Sequence, residues 1–155
     1  MPVRIASVGL IVIGMLFATH SVADGETVFT DEADSLYVLA GELYVEGRYA
    51  DAVPLFLRVV ELKPQYGNAH ALLGGSYLHL GDYGNAIGAF ERAIELDDGI
   101  RLAYLGLVAA NYFTERMEAA ELWLERLVSI LSGDERSRYL ATISSQFPRL
   151  TLPGS

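Results

Sequence analysis

GRYADAVPLFLRVVELKP, residues 47–64, is restated 34 residues later as GDYGNAIGAFERAIELDD, residues 81–98. Gly47, Tyr49, Ala52, Phe56, Arg58, Glu61 and Leu62 recur as Gly81, Tyr83, Ala86, Phe90, Arg92, Glu95 and Leu96. From Asp31 onward apolar residues return at three- and four-residue steps, and the β-branched alternation of strands is missing, which predicts helices. Breaks at Gly47-Arg48, Pro64–Asn68, Gly81-Asp82 and Asp97–Gly99 carry the Gly, Pro, Asp and Asn of helix ends. The unit is therefore a helix, a tight turn, a second helix and a wider turn.

These residues resemble the tetratricopeptide repeat, a 34-residue helical hairpin with small and large apolar residues at fixed places. In residues 33–66 the matching residues are Leu36, Leu39, Ala40, Leu43, Gly47, Tyr49, Ala52, Phe56, Val59, Leu62 and Pro64. In residues 67–100 they are His70, Leu73, Gly74, Tyr77, Gly81, Tyr83, Ala86, Phe90, Ala93 and Leu96. A degenerate third unit, 101–134, keeps Tyr104, Leu107, Ala120, Leu124, Leu127 and Ile130, but has Val108, Asn111, Glu115 and Met117 where the pattern has a small residue, tyrosine, glycine and tyrosine. The resemblance implies an all-α, right-handed superhelical solenoid of three hairpins. Ala40, Gly74, Ala52 and Ala86 allow close helix approach, the aromatic residues fill the space between hairpins, and Gly47 and Gly81 permit the turn. One hairpin cannot bury its apolar face, so about three must stack.

Ser132-Gly133-Asp134-Glu135 reads as a capping box. Tyr139, Leu140, Ile143 and Phe147 then make one apolar stripe, which predicts a capping helix at 135–147 and a flexible tail at 148–155. Residues 24–32 read as a linker, in which Val28 and Phe29 are candidates to cover the first hairpin.

Formal net charge is −9, and all 20 acidic residues lie at or beyond Asp24. That balance argues against nucleic acid or an anionic membrane surface as the main partner. With no cysteine there is no disulfide, thiol nucleophile or thiolate metal site. Residues 1–23 read as a signal peptide: Arg4, an apolar run from Ile5 to Ala18, then Ser21 and Ala23 before a cleavage point. As a helix that run spans about 21 Å, short of the roughly 30 Å of a bilayer core. Cleavage makes the chain periplasmic or secreted; an uncleaved segment makes it membrane-anchored, facing away from the cytoplasm.

No catalytic, cofactor or metal constellation emerges, and the chain reads as a non-enzyme without cofactor. His70 holds a place usually given to a buried aromatic, and His79 has no matching ligand. Glu115, Glu118, Glu121 and Glu125 recur at helical steps and read as a solvated face. Gly74-Gly75 lies inside a helix and is no phosphate cradle.

The stretch LAYLGLVAANYF, 102–113, is apolar nearly all round, so both its faces need cover. In the resembled family the second face of each first helix lines a concave groove. Its positions here are Tyr37, Gly41, Tyr44 and Val45, then Ala71, Gly75, Leu78 and His79, then Leu102, Leu105, Ala109, Tyr112 and Phe113. Small residues at the floor and apolar ones around it suit an apolar peptide or helix of another protein. The Lys, Arg and Asn clamp for chaperone C-termini is missing, since its positions hold Tyr37, Gly41, Leu72, Leu102 and Gly106. The function expected is a protein–protein scaffold or adaptor. The alternative is a chaperone resembling the three-repeat chaperones of type III secretion, which hold apolar client segments. Self-coverage by the tail or by residues 24–32, and homodimerisation, are competing uses of the groove.

Overall fold

The computed structural model describes residues 31–153. The expected signal segment, residues 24–30 with Val28 and Phe29, and Gly154-Ser155 lie outside the described residues. Seven helices form among the described residues: α1 Glu32–Val45, α2 Tyr49–Leu62, α3 Gly67–His79, α4 Tyr83–Leu96, α5 Arg101–Phe113, α6 Met117–Ile130 and α7 Gly133–Gln146. The described residues hold no strand, and no helix long and apolar enough to cross a membrane. Consecutive helices pair as antiparallel hairpins, α1 with α2, α3 with α4, α5 with α6, and each hairpin packs on the next. The all-α helical repeat expected from the sequence is the fold.

Two expected boundaries move. Asp31 and Glu32 were assigned to the linker, but Asp31 accepts a hydrogen bond from the Asp34 N–H at 3.0 Å and caps α1, whose first residue is Glu32. The last helix begins at Gly133 rather than at 135, because Ser132 is its cap. The Glu135 carboxylate reaches back to the Ser132 N–H (3.3 Å) and hydroxyl (2.7 Å).

The tight turns repeat their hydrogen bonds as faithfully as the sequence repeats its letters. The Arg48, Asp82 and Arg116 N–H groups donate to Leu43, Tyr77 and Asn111 carbonyls, each at 2.9 Å, and close three Schellman turns. The turn needs a left-handed residue. Gly47 and Gly81 supply φ of 77° and 78°, whereas the third turn forces Glu115 to 61°. Beside it, Asn111 is fully buried; its Nδ2 donates to the Leu107 carbonyl at 2.8 Å and its Oδ1 has no partner. The degeneracy of the third unit thus carries a backbone and a polar cost.

The hairpins lock through α4. The ring of Phe90 lies between Gly74 on α3 and Gly106 on α5. A Cβ on Gly74 would come within 2.8 Å of the ring, and one on Gly106 would overlap its far edge. Around it Ala71, Ala86, Ala93, Ala103, Ile100 and Leu107 complete a buried cluster. Phe56 has the same role one unit earlier, with Ala40, Ala52 and Leu73, and Leu124 replaces it one unit later. Burying each such side chain contributes about 1.5–3 kcal/mol. Exposure at one register shows what stacking does: Leu39 is 47% exposed, Leu73 5% and Leu107 0%, because α2 covers Leu73 and α4 covers Leu107.

The Gly106→Ala variant will be less stable than the native chain. Overpacking costs about 1–3 kcal/mol, against roughly 1 kcal/mol gained in helix propensity, and Phe90→Leu in the same chain will restore part of the loss. Gly88→Ala, where nothing lies within 4 Å of the new methyl group, will instead stabilise. Urea unfolding of the four chains checks the signs, and equal losses at 88 and 106 would remove Phe90 from the explanation. By the same measurement Glu115→Gly, which relieves the left-handed strain, will stabilise by up to about 1 kcal/mol.

Candidate partner-binding groove

The thirteen groove residues expected from the sequence divide into three environments. Ala71, Gly75 and Ala109 are buried. Tyr37, Gly41, Tyr44, Leu78, Leu105 and Tyr112 are half-buried, and Val45, His79, Leu102 and Phe113 are exposed. The small residues of α3 and α5 are therefore not an accessible floor, which corrects the expectation. Ala71 is closed in by α4 and α5, and the other two meet side chains of the preceding unit. The Tyr44 ring lies over Gly75, its hydroxyl 2.7 Å from where a Cβ would sit. Leu78, the same position one unit on, packs on the cluster that contains Ala109. Only Gly41, with no described hairpin before it, has open space above it.

What remains open is a line of side chains at the C-terminal ends of the first helices. Val45, His79 and Phe113 stand 34 residues apart, and Phe147, the next in register at the cap of α7, is buried. His79 stacks on Tyr49 at 4.1 Å with rings 6° from parallel, and Phe113 stacks on Tyr83 at 5.7 Å and 22°. Here the first tyrosine of each second helix, read from sequence as a filler between hairpins, braces the end of the next first helix. Val45 is 86% exposed and Phe113 53%, so this edge offers apolar surface of its own, and Leu102, 40% exposed, adds a second apolar point at the opposite, N-terminal end of α5.

The histidines do no more than pack and brace. The His70 Nε2 lies 3.1 Å from the Pro64 carbonyl oxygen, and burial first, then the Arg92 charge, pushes its pKa down. Among the described residues no group of three His, Asp or Glu could hold a metal. A shallow depression of about 470 Å³, lined by Asp34, Lys63, Pro64, Gln65 and Tyr66, lies at the opposite end of α1 from Val45. Its lysine is held by Asp31 at 2.8 Å and Asp34 at 2.6 Å. The missing chaperone clamp is also a matter of packing, since the Gly106 position faces Phe90.

The tail is the second correction. Expected to be flexible from Pro148, it turns back at Pro148-Arg149, where the Leu150 N–H donates to the Phe147 carbonyl at 3.1 Å. Pro148 occupies the turn position that favours proline. Phe147 packs against Tyr112 (5.0 Å) and Phe113 (6.2 Å), and the Arg149 guanidinium lies over Tyr112 at 5.2 Å. Leu150 is buried, Leu152 packs on the same cluster, and the Thr151 N–H donates to Glu121 Oε1 at 2.9 Å. Glu121 is thus no part of a merely solvated face. Helical spacing could not reveal it, because its partner lies 30 residues away.

A tetratricopeptide repeat family model matches residues 37–100. Over 107 residues the chain is 31% identical to Protein SGT1 homolog of Oryza sativa subsp. japonica; the match takes in 69% of this chain and 29% of that protein. The chain thus spans less than a third of that relative's length. The fold is similar to the Yersinia enterocolitica type III secretion chaperone SycD in complex with a peptide of the translocator YopD, with a TM-score of 0.69, 20% identity and coverage of 79% and 93% of the two chains. It is equally similar to the TPR2B domain of yeast Sti1 in its pHsp70 complex, with a TM-score of 0.69, 15% identity and coverage of 76% and 96%.

Thr151 holds the Glu121 carboxyl below the ordinary glutamate range, through its backbone N–H first and its hydroxyl second. A depressed carboxylate pKa means the latch is present above that range and lost as pH falls through the lowered value. An NMR titration will show the Thr151 amide shifting with a midpoint below 4.5, and Glu121→Gln will abolish that inflection. A titration unchanged by the substitution would dismiss the latch.

Proposed function

We propose that this chain, a member of the tetratricopeptide repeat family, is a non-enzymatic adaptor that works outside the cytoplasm. In this reading it holds an apolar segment of another protein along the edge formed by Val45, His79 and Phe113 and along α5 to Leu102. The observation that carries the reading is the exposure of Leu102 and Phe113 on a helix whose opposite face is already buried in the stack. A face that keeps large apolar side chains exposed beyond what its ring contacts cover is the signature of an interaction surface. The apolar run at 5–18, ahead of the small-residue site at Ala23, supports export, since it has the length of a signal segment rather than of a membrane span.

The type III secretion chaperone reading draws on the same hairpins and the same acidity. The fold likeness does not separate the two, because the TM-score to SycD equals that to the Sti1 domain. The N-terminal segment favours export over a cytoplasmic chaperone.

Half-buried Tyr44, Leu78 and Leu105 are poor probes because each also packs between hairpins. Leu102→Glu, at an exposed site, will leave helical content and stability within about 0.5 kcal/mol of the native chain, while Phe113→Glu, which also loses its ring contacts with Tyr83 and Phe147, will cost about 0.5–1.5 kcal/mol and keep its helical content. In crosslinking captures from the exported fraction, both will lose the native chain's partners by tenfold or more. Folded variants that retain every partner would sink the adaptor reading. Mass spectrometry of the exported chain will find its first residue at Asp24; full-length chain confined to the cytoplasm would overturn the location.

A further inference from the structure

The tail and its resting place have the composition of a ligand and its receptor. Apolar, polar and charged contacts each find a partner within five residues. Phe147 anchors the turn; Arg149 covers the Tyr112 ring; Leu150 is 7% exposed in the α5–α6 cluster; the Thr151 N–H meets Glu121; Leu152 packs on the same cluster. A solvated tail has no reason to place a leucine in a core or a backbone amide on a carboxylate 30 residues away. The first bond to Glu121 is a backbone N–H that any residue at 151 supplies, with the Thr151 hydroxyl adding to it, whereas the leucine sites and the Tyr112 face read side-chain chemistry, as peptide-recognition sites do.

We propose that the strip between Tyr112 and Glu121 is a receptor for a short Arg-Leu-x-Leu segment, and that residues 149–152 are its resident occupant. The tail is then an autoinhibitory segment. It covers Tyr112 and leaves Phe113 and Leu102 exposed, so a partner reaching the third hairpin first meets a site already filled from within. Tethering gives the tail an effective concentration on the order of millimolar, and a partner segment must exceed that to displace it. This inference rests on the adaptor reading for its purpose but not for its test.

The test uses the full chain and a fluorescent peptide, PRLTLPGS, with the sequence of residues 148–155. In a chain carrying Leu150→Asp and Leu152→Asp, the vacated strip will bind the peptide saturably, with half-saturation below about 1 mM. The native chain will bind it at least tenfold more weakly, and a peptide with aspartate at both leucine positions will not bind. Equal binding by native and substituted chains, or no binding to a substituted chain that keeps its helical circular dichroism, overturns the proposal. Should the substituted chain unfold, ¹⁵N heteronuclear NOEs of residues 149–152 in the native chain decide. Values like those of the helices support the occupant, and values of a free terminus overturn it. A native chain that dimerises with concentration only while its leucines are intact would place the tail in a second copy and overturn the intramolecular reading. A peptide that binds in trans while Phe113→Glu retains every partner would keep this site and sink the adaptor.

Discussion

The ring of Phe90, held between Gly74 and Gly106, is the contact on which the stack depends. It is a three-body constraint. One side chain on the second helix of a hairpin meets the first helix of its own hairpin and the first helix of the next. The two glycines set both distances at once, within the hairpin and between hairpins. A solenoid has no central core to average out an error, so a shift at one such contact displaces every hairpin beyond it. That is why the two glycines sit inside helices, where glycine otherwise costs roughly 1 kcal/mol.

The third hairpin departs from this economy. Leu124 stands where Phe56 and Phe90 stand in the earlier units, Glu115 takes a left-handed turn meant for glycine, and Asn111 buries an unpaired oxygen. The tail docks on this same hairpin. Phe147, Leu150 and Leu152 add apolar cover to the cluster around Leu124 and Leu127. The least regular unit is therefore the one with an added outside element, and its irregularity and its cover belong to one arrangement. Capping helix α7 contributes through Ile143, and the Arg101–Glu135 ion pair at 3.1 Å ties its first turn to α5.

Most of the fold was legible because a 34-residue repeat states each structural demand more than once. Gly47 and Gly81 at one place, Ala52 and Ala86 at another, and Phe56 and Phe90 at a third leave little freedom in pairing the helices. The degenerate third unit was legible by register alone. The groove was legible only in part, for a physical reason. Register tells which helix face Gly75 and Ala109 occupy, but not that Tyr44 lies over the first and Leu78 packs on the cluster that holds the second. Exposure is a property of two hairpins, and a single position encodes half of it. Gly106 shows the same limit: its register marks a clamp position without a cation, but not that the Phe90 ring lies against it. The tail escaped because its six residues carry no periodicity, and its latch joins Thr151 to Glu121 across a separation no local pattern spans. Pro148 was the one signal, as the second residue of a turn.

The placement of charge narrows what such an edge can hold. A clamp for a carboxylate needs fixed cations in the groove, whereas its positions here hold Tyr37, Gly41, Leu72, Leu102 and Gly106, and the one lysine is held between Asp31 and Asp34 at the far end of α1. Along the exposed edge the side chains are Val45, His79 and Phe113, and on the adjoining strip that the tail covers a carboxylate, Glu121, accepts a backbone N–H. An apolar strip that offers a ring face and a carboxylate favours segments that bring apolar side chains and a basic residue, and disfavours acidic chain ends. The chain's own tail has that composition, with Arg149 between Phe147 and Leu150. The same chemistry that excludes the familiar chaperone ligand therefore describes the segment found in its place.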